Sequence, residues 1–195
     1  NPLDSYCSLI FGKNIENVRI YGDGIIDGNG EEGQWWLEPK VKKIAFRPRN
    51  IFLDSCNNIS LVSFTSENSA AWNIHLFYCK NIYAYDLKIN SNPNSPNTDG
   101  FDPESCSNVK IIGCHFKVGD DCIAIKSGKI FMSHFKPIPS TNIIISDCFM
   151  EEGHGAIVIG SEISCGVNNI EVCNCLFKKT DRGLRIKTRI GRGKL

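Results

Sequence analysis

The sequence predicts an all-β solenoid, a parallel β-helix, and three observations carry that expectation. An Asn-Ile/Val pair recurs at Asn58-Ile59, Asn81-Ile82, Asn108-Val109, Asn142-Ile143 and Asn169-Ile170, with a weaker start at Asn17-Val18. The intervals from Asn58 onward are 23, 27, 34 and 27 residues, the period of repeat architectures. After each Asn the apolar residues alternate, as in Ile143 and Ile145 or Ile170 and Val172, which is the signal of a half-buried strand. Further apolar pairs keep fixed offsets from the anchor. One set falls at Cys114/Phe116, Cys148/Met150 and Cys175/Phe177, and another at Ile123/Ile125, Ile157/Ile159 and Leu184/Ile186.

Each repeat therefore holds three short strands, and almost no segment supports a helix. Three strands joined by polar turns describe one coil, stacked on the next at about 4.8 Å. Asn at the same bend tolerates the left-handed backbone of a tight corner and can ladder its amides, here expected to point inward. The longest coil carries the extra stretch Lys129 to Pro137, a candidate groove wall.

With 195 residues, 42% apolar content and 22% charge, the chain suffices for one sizeable core, a single domain over residues 1–195. No apolar run reaches the length of a membrane span, and no secretory leader is present. The chain begins at Asn1 and stops at Lys194-Leu195 directly after a motif, so the solenoid is expected to be incomplete at its termini, with further coils beyond both ends. Ten cysteines raise disulfides or zinc, but Cys56, Cys79 and Cys106 share one offset and Cys114, Cys148 and Cys175 another. Inward stacks of free thiols are expected.

Net charge of +1 argues against a general nucleic-acid binder. The cations crowd the last coil, where Arg185 and Lys187 alternate with Leu184 and Ile186 and so share a side of the strand. Offset matching sets Lys126 level with Lys187, with Gly160 between them. Such a run is commonly a solvated face, but a cationic shelf also suits a polymer bearing a carboxylate on each sugar.

The acids complete the pattern. Asp99 aligns with Asp121 if Phe101 and Ile123 share an inward slot, and Asp120 shares its offset with His154 and Asp181. Like charges packed this closely raise at least one pKa. A raised carboxyl beside an ordinary one is what glycoside hydrolysis needs: an acid for the leaving oxygen and a base for the nucleophile. The same acids could cap turns, and on spacing alone the two readings stand level. A Ca²⁺ site is a third option.

Asn97-Thr98-Asp99-Gly100, Gly119-Asp120-Asp121-Cys122, Gly153-His154-Gly155 and Arg185-Ile186-Lys187, in this order, closely resemble the four motif blocks of the polygalacturonase family, glycoside hydrolase family 28. The strings Asp102-Pro103-Glu104-Ser105-Cys106 and Arg182-Gly183-Leu184-Arg185-Ile186-Lys187-Thr188 look like its bacterial, often exo-acting branch. The resemblance extends through Trp72-Asn73-Ile74-His75 and the Gly22 to Gly28 loop, and covers nearly the whole chain.

It implies a right-handed parallel β-helix that hydrolyses α-1,4 bonds between galacturonic acids with inversion. Asp120 then matches the general acid, Asp99 with Asp121 the pair that holds the attacking water, and His154 the histidine that tunes the acid's surroundings. Arg185 and Lys187 match the grip on a substrate carboxylate, with Lys126 beside them. The partner is an anionic polysaccharide, with no nucleic acid, membrane, cofactor or metal expected. A secreted or periplasmic location is expected, with the cytoplasm left open. An inverting pair is expected roughly 6.5–9.5 Å apart. Two rivals remain, a Ca²⁺-dependent polygalacturonate lyase and a non-catalytic polysaccharide-binding β-helix. Trp35 and Trp36 read as packing or a sugar platform, and His75 as structural or substrate-binding. Asn58-Ile59-Ser60 is a glycosylation sequon discounted because a ladder Asn is expected to face inward.

Overall fold

The computed structural model describes residues 4–39 and 44–188. The chain winds as coils of three strands each. The first is β1 (Ile10–Lys13), β2 (Arg19–Tyr21) and β3 (Ile25–Asp27), and the second β4 (Ile51–Asp54), β5 (Asn57–Val62) and β6 (Thr65–Glu67). There follow β7 (Ile74–Phe77), β8 (Lys80–Tyr85) and β9 (Lys88–Asn90), then β10 (Phe101–Glu104), β11 (Ser107–Ile112) and β12 (His115–Lys117). The fifth coil is β13 (Asp121–Ile125), β14 (Ser140–Ser146) and β15 (Phe149–Met150), interrupted by α1 (Ile130–Phe135). The sixth is β16 (Gly155–Gly160), β17 (Val167–Cys173) and β18 (Leu176–Phe177), and β19 (Leu184–Lys187) opens the next.

Among the described residues, corresponding strands of successive coils pair in parallel, giving one sheet of seven strands and two of six. This is a right-handed parallel β-helix, the hand that crossover sterics impose on parallel strands. The repeat offsets are the register itself: Phe101 pairs with Ile123, Ile157 with Leu184, and Val109 with Ile143. Every second residue faces the interior, where Leu53, Leu76, Phe101, Ile123 and Ile125 on the seven-stranded sheet meet Leu61, Ile111 and Ile145 on the second and Ile89 and Phe116 on the third, all buried.

The corners show why Asn recurs. Asn17, Asn58, Asn81, Asn108, Asn142 and Asn169 all have φ between 54 and 61°, a left-handed conformation that Asn tolerates better than most residues. Their amides form a ladder, with Asn108 Nδ2 donating to Asn81 Oδ1 at 2.9 Å, Asn142 to Asn108 at 3.1 Å and Asn169 to Asn142 at 2.7 Å. The ladder lies on the outer surface, contrary to the expected inward orientation. Each Asn precedes an inward Ile or Val, so strand alternation turns the Asn outward. Asn58 of the sequon is accordingly exposed.

All ten cysteines are free. Cys56, Cys79, Cys106, Cys114, Cys122 and Cys148 are buried, whereas Cys175, expected in the same stack, is only half-buried because its coil is the last one described on that sheet. The long coil expels its extra residues as α1. Lys136 anchors that excursion, its Nζ lying 4.0 Å over the Tyr78 ring. Among the described residues no helix is long and apolar enough to cross a membrane.

Candidate active site

The seven-stranded sheet carries the polar residues on its outer face. Asp99 precedes β10, Asp120 directly precedes β13, Asp121 opens it, and the pairing of Phe101 with Ile123 sets Asp99 level with Asp121. One oxygen from each of the three carboxylates lies within 4.8 Å of the others. Adjacent rungs place these side chains alongside one another. The turn that presents them is itself tightly packed. Gly119 donates its N–H to Thr98 Oγ1 at 3.0 Å, and a Cβ there would meet the Ser95 carbonyl at 2.2 Å.

Each acid has a different environment. Asp120 is half-buried, and its Oδ2 accepts from the Asn97 N–H at 3.1 Å and from Asn97 Nδ2 at 3.3 Å. Asp121 is fully buried and pairs with Lys187 Nζ. Asp99 is buried, and burial pushes its pKa well above the ordinary carboxylate range, with the charges of Asp102 and Asp120 adding to the rise and Lys126 opposing it. The cluster could reach a cation, but ammonium groups already stand against two of its members, Lys187 on Asp121 and Lys126 at 3.9 Å from Asp99.

His154 lies one rung beyond Asp120, as expected, and its backbone N–H donates to the Asp120 carbonyl at 3.0 Å. Its ring is exposed, with Nδ1 3.6 Å from Asp181 Oδ2. Arg185 pairs with Val158 and Lys187 with Gly160 across the sheet, both half-exposed. Among the described residues Arg185 has no ion-pair partner, which leaves its guanidinium for a ligand.

Lys126 departs from the expected cationic shelf. It is buried, its Nζ 3.9 Å from Asp99, 3.6 Å from Asp102 and 3.7 Å from Glu162, donating to the Gly160 carbonyl at 3.3 Å and lying 4.9 Å over the Trp72 ring. Burial alone would lower its pKa, but Asp102, Asp99 and Glu162 outweigh that and raise it. It neutralises acids beneath the cleft rather than meeting a ligand on an open surface.

Several residues were not singled out by sequence reasoning. Arg47 donates to the carbonyls of Ala70 and Pro96 at 2.6 and 3.1 Å and to Asn97 Oδ1 at 2.9 Å, so it holds the loop that holds Asp120. Asp102 and Glu104 are both buried on the outer face of β10, where the alternation that buries Phe101 and Pro103 was the available signal. Glu104 Oε2 is 2.9 Å from His75 Nε2; burial lowers the His75 pKa to about 3, keeping the ring neutral and structural. Trp36 donates Nε1 to the Gly30 carbonyl at 2.9 Å and takes Arg47 on its face, so it packs. Trp35 meets Tyr6 edge-on at 5.5 Å and lines a cavity of about 350 Å³ with Tyr6, Phe46 and Arg47.

Comparison with known proteins places this arrangement. The model of Glycosyl hydrolases family 28 matches residues 4–193. The chain belongs to that family. It is similar to a probable polygalacturonase of Vitis vinifera, 38% identical over 191 residues, which are 96% of this chain and 38% of the relative. A probable polygalacturonase of Arabidopsis thaliana is 41% identical over 183 residues, 92% of this chain and 36% of the relative. This family 28 chain thus spans less than two fifths of the length of either relative. Among solved structures, the hyperthermoactive exopolygalacturonase of Thermotoga maritima superposes with a TM-score of 0.84 at 30% identity, over 97% of this chain and 51% of that one. The polygalacturonase of Erwinia carotovora gives 0.83 at 31% identity, over 93% of this chain and 49% of its own.

Proposed function

We propose that this chain is the catalytic part of a polygalacturonase that hydrolyses α-1,4 bonds between galacturonic acids of pectin, with inversion and from the chain end. The reading rests on one observation: oxygens of Asp99, Asp120 and Asp121 converge within 4.8 Å beside Lys187, and Arg185, which has no ion-pair partner among the described residues, lies two positions before Lys187 on the same strand. In this reading Asp120 protonates the leaving oxygen, Asp99 and Asp121 hold and deprotonate the attacking water, and His154 sets the charge around Asp120 through its link to Asp181. Arg185 and Lys187 bind substrate carboxylates, and Lys126 acts from below by neutralising the floor. A polymer of this size is met outside the cytoplasm, so a secreted or periplasmic location belongs to the same proposal.

Exo action is supported by the branch-like motif strings and by the likeness to the Thermotoga maritima exopolygalacturonase, while the curated relatives described above are plant proteins. Leu184 and Ile186 face inward by register yet are exposed, which supports further coils in the whole protein.

The test measures reducing ends and ultraviolet absorbance together on polygalacturonate. Hydrolysis gives reducing ends alone, whereas a lyase also leaves an absorbing unsaturated end; a protein that binds without either signal overturns the enzymatic reading. Inversion gives a first-formed reducing end of configuration opposite to the bond cleaved, and retention one of the same configuration. Proton NMR of the newly formed anomer decides between them: a first-formed β-anomer supports inversion, an α-anomer retention.

A further inference from the structure

Asp120, the acid of the reaction above, is held by an amide that is itself held. Its Oδ1 accepts from the N–H of its neighbour Asp121 at 3.1 Å, whereas its Oδ2 accepts from Asn97 twice, from the backbone N–H at 3.1 Å and from side-chain Nδ2 at 3.3 Å. The other end of that side chain, Oδ1, accepts from Arg47 Nη2 at 2.9 Å. We propose that Arg47 is a positioning residue of the hydrolytic site, acting through the Asn97 amide to fix where the Asp120 carboxyl stands. The inference rests on the hydrolase reading and adds to it a residue outside the four motif blocks.

The two ends of an Asn amide have nearly the same shape and opposite hydrogen-bonding roles. Turned round, Asn97 would set a carbonyl oxygen against a carboxylate oxygen, two acceptors with no proton between them. Arg47 only donates, so it meets the oxygen end alone, and its bond to Oδ1 leaves Nδ2 facing Asp120. The same guanidinium reaches the backbone of two loops. Its Nη1 donates to the Ala70 carbonyl at 2.6 Å, between β6 and β7, and to the Pro96 carbonyl at 3.1 Å, between β9 and β10. Pro96 adjoins Asn97, whose φ of 61° is left-handed, so one clamp fixes both the backbone that presents the N–H and the side chain that presents Nδ2. A staple between loops would need the two carbonyl bonds only; the third is the one that leads to the acid.

Arg47 is fixed in its turn. Its guanidinium carbon lies 5.0 Å over the Trp36 ring, and Trp36 Nε1 donates to the Gly30 carbonyl at 2.9 Å. The Gly30 N–H donates to the Asn68 carbonyl at 2.7 Å, which seats this segment on the loop after β6. A group in the fifth coil is thus placed from the connection between the first coil and the second. Burial lowers the Arg47 pKa while the charges of Asp99 and Asp120 oppose that, so the guanidinium stands in the field of the acids it helps to place. An ammonium is no substitute, because three acceptors in different directions need the planar fork of donors.

In the whole protein, Arg47→Ala should lower kcat on polygalacturonate about 10–100-fold and leave KM within about twofold, the mark of lost transition-state geometry with binding kept. A raised KM at unchanged kcat would make Arg47 a substrate ligand, and unchanged kinetics would make it a loop staple; either overturns the proposal. Asn97→Ala removes the link itself, so the double variant should be no slower than the slower single one. Losses that multiply would show that Arg47 acts by another route. Arg47→Lys keeps the charge and guards against a truncation that fails to fold. Its kcat should stay at least about tenfold down with a Tm near that of the wild type, and full activity would reduce the role to charge. Loss of folding in both variants would make Arg47 a stability residue and sink the idea. Hydrogen exchange reads the clamp without catalysis. In Arg47→Lys the Asn97 backbone N–H should exchange roughly fivefold faster, the equivalent of one lost hydrogen bond, while amides within the sheets keep their wild-type rates. Unchanged exchange at Asn97 would refute the clamp whether or not hydrolysis is found. Faster exchange in the variant of a protein that releases no reducing ends would leave the clamp standing and fault the hydrolase reading alone.

Discussion

Replacing Lys126 by Met keeps the length and apolar stem of the side chain and removes only the ammonium. The structure sets the size of the effect. Asp99 and Asp102 lose an ammonium within ion-pair reach, Glu162 loses a partner, the Gly160 carbonyl loses a donor, and Trp72 loses a cation over its face. Removing one member of a buried ionic cluster costs about 3–5 kcal/mol, because the uncompensated charge stays behind. Urea unfolding of the whole protein near pH 7 measures it: with a slope of roughly 2–3 kcal/mol per molar, the midpoint should fall by about 1–2.5 M. The loss should shrink as pH falls, since the stranded carboxyls, already raised by burial, then take up protons. A loss under about 1 kcal/mol at neutral pH, within the range of surface pairs, would refute the view that Lys126 neutralises the cleft floor.

Asp120→Asn should lower kcat by about 10²–10⁴ with binding retained, as measured by steady-state kinetics and equilibrium binding of galacturonate oligomers. Arg185→Ala should cost about 1.5–3 kcal/mol in kcat/KM on polygalacturonate and little on methyl-esterified substrate; equal losses on both would remove it from carboxylate recognition. Gly119→Ala should destabilise by about 1–3 kcal/mol, since its Cβ would press on the Ser95 and Asn92 carbonyls at 2.2 and 2.6 Å, and a thermal melt reads this directly. Because burial raises the Asp99 pKa and the base must be ionised, the acidic limb of the rate profile should lie above the ordinary carboxylate range and shift in Asp99→Glu.

The coil register was legible in the sequence because the repeat offset is a physical period. A pattern that places Phe101 level with Ile123 and Gly160 level with Lys187 needs no knowledge of the turns. What lay outside that period was illegible. Arg47 reaches Asn97 across 50 positions through an aperiodic segment, and nothing in its local pattern marks it. Lys126 kept its predicted rung, but its burial follows from the Trp72 ring and Glu162 closing over it, contacts that belong to loops. The outward Asn ladder was within reach: the strand phase that points Ile59 inward already points Asn58 outward. Asp102 and Glu104 read as a polar face, and only their enclosure separates them from solvated charges.

The excursion that holds α1 leaves the solenoid after β13, yet β14 returns to pair with β11 at Val109 and Ile143, in the same phase that shorter coils use. Everything added there is looped out at one corner, so no rung above or below is shifted by its length. That corner and the acids on the seven-stranded sheet can therefore change independently. Lengthening or trimming residues 129–137 would change that corner without moving Asp99, Asp120 or Asp121 relative to one another. In the proposed hydrolase, exchanging that segment alone tests whether corner length sets chain-end against mid-chain cleavage on one unchanged reaction centre.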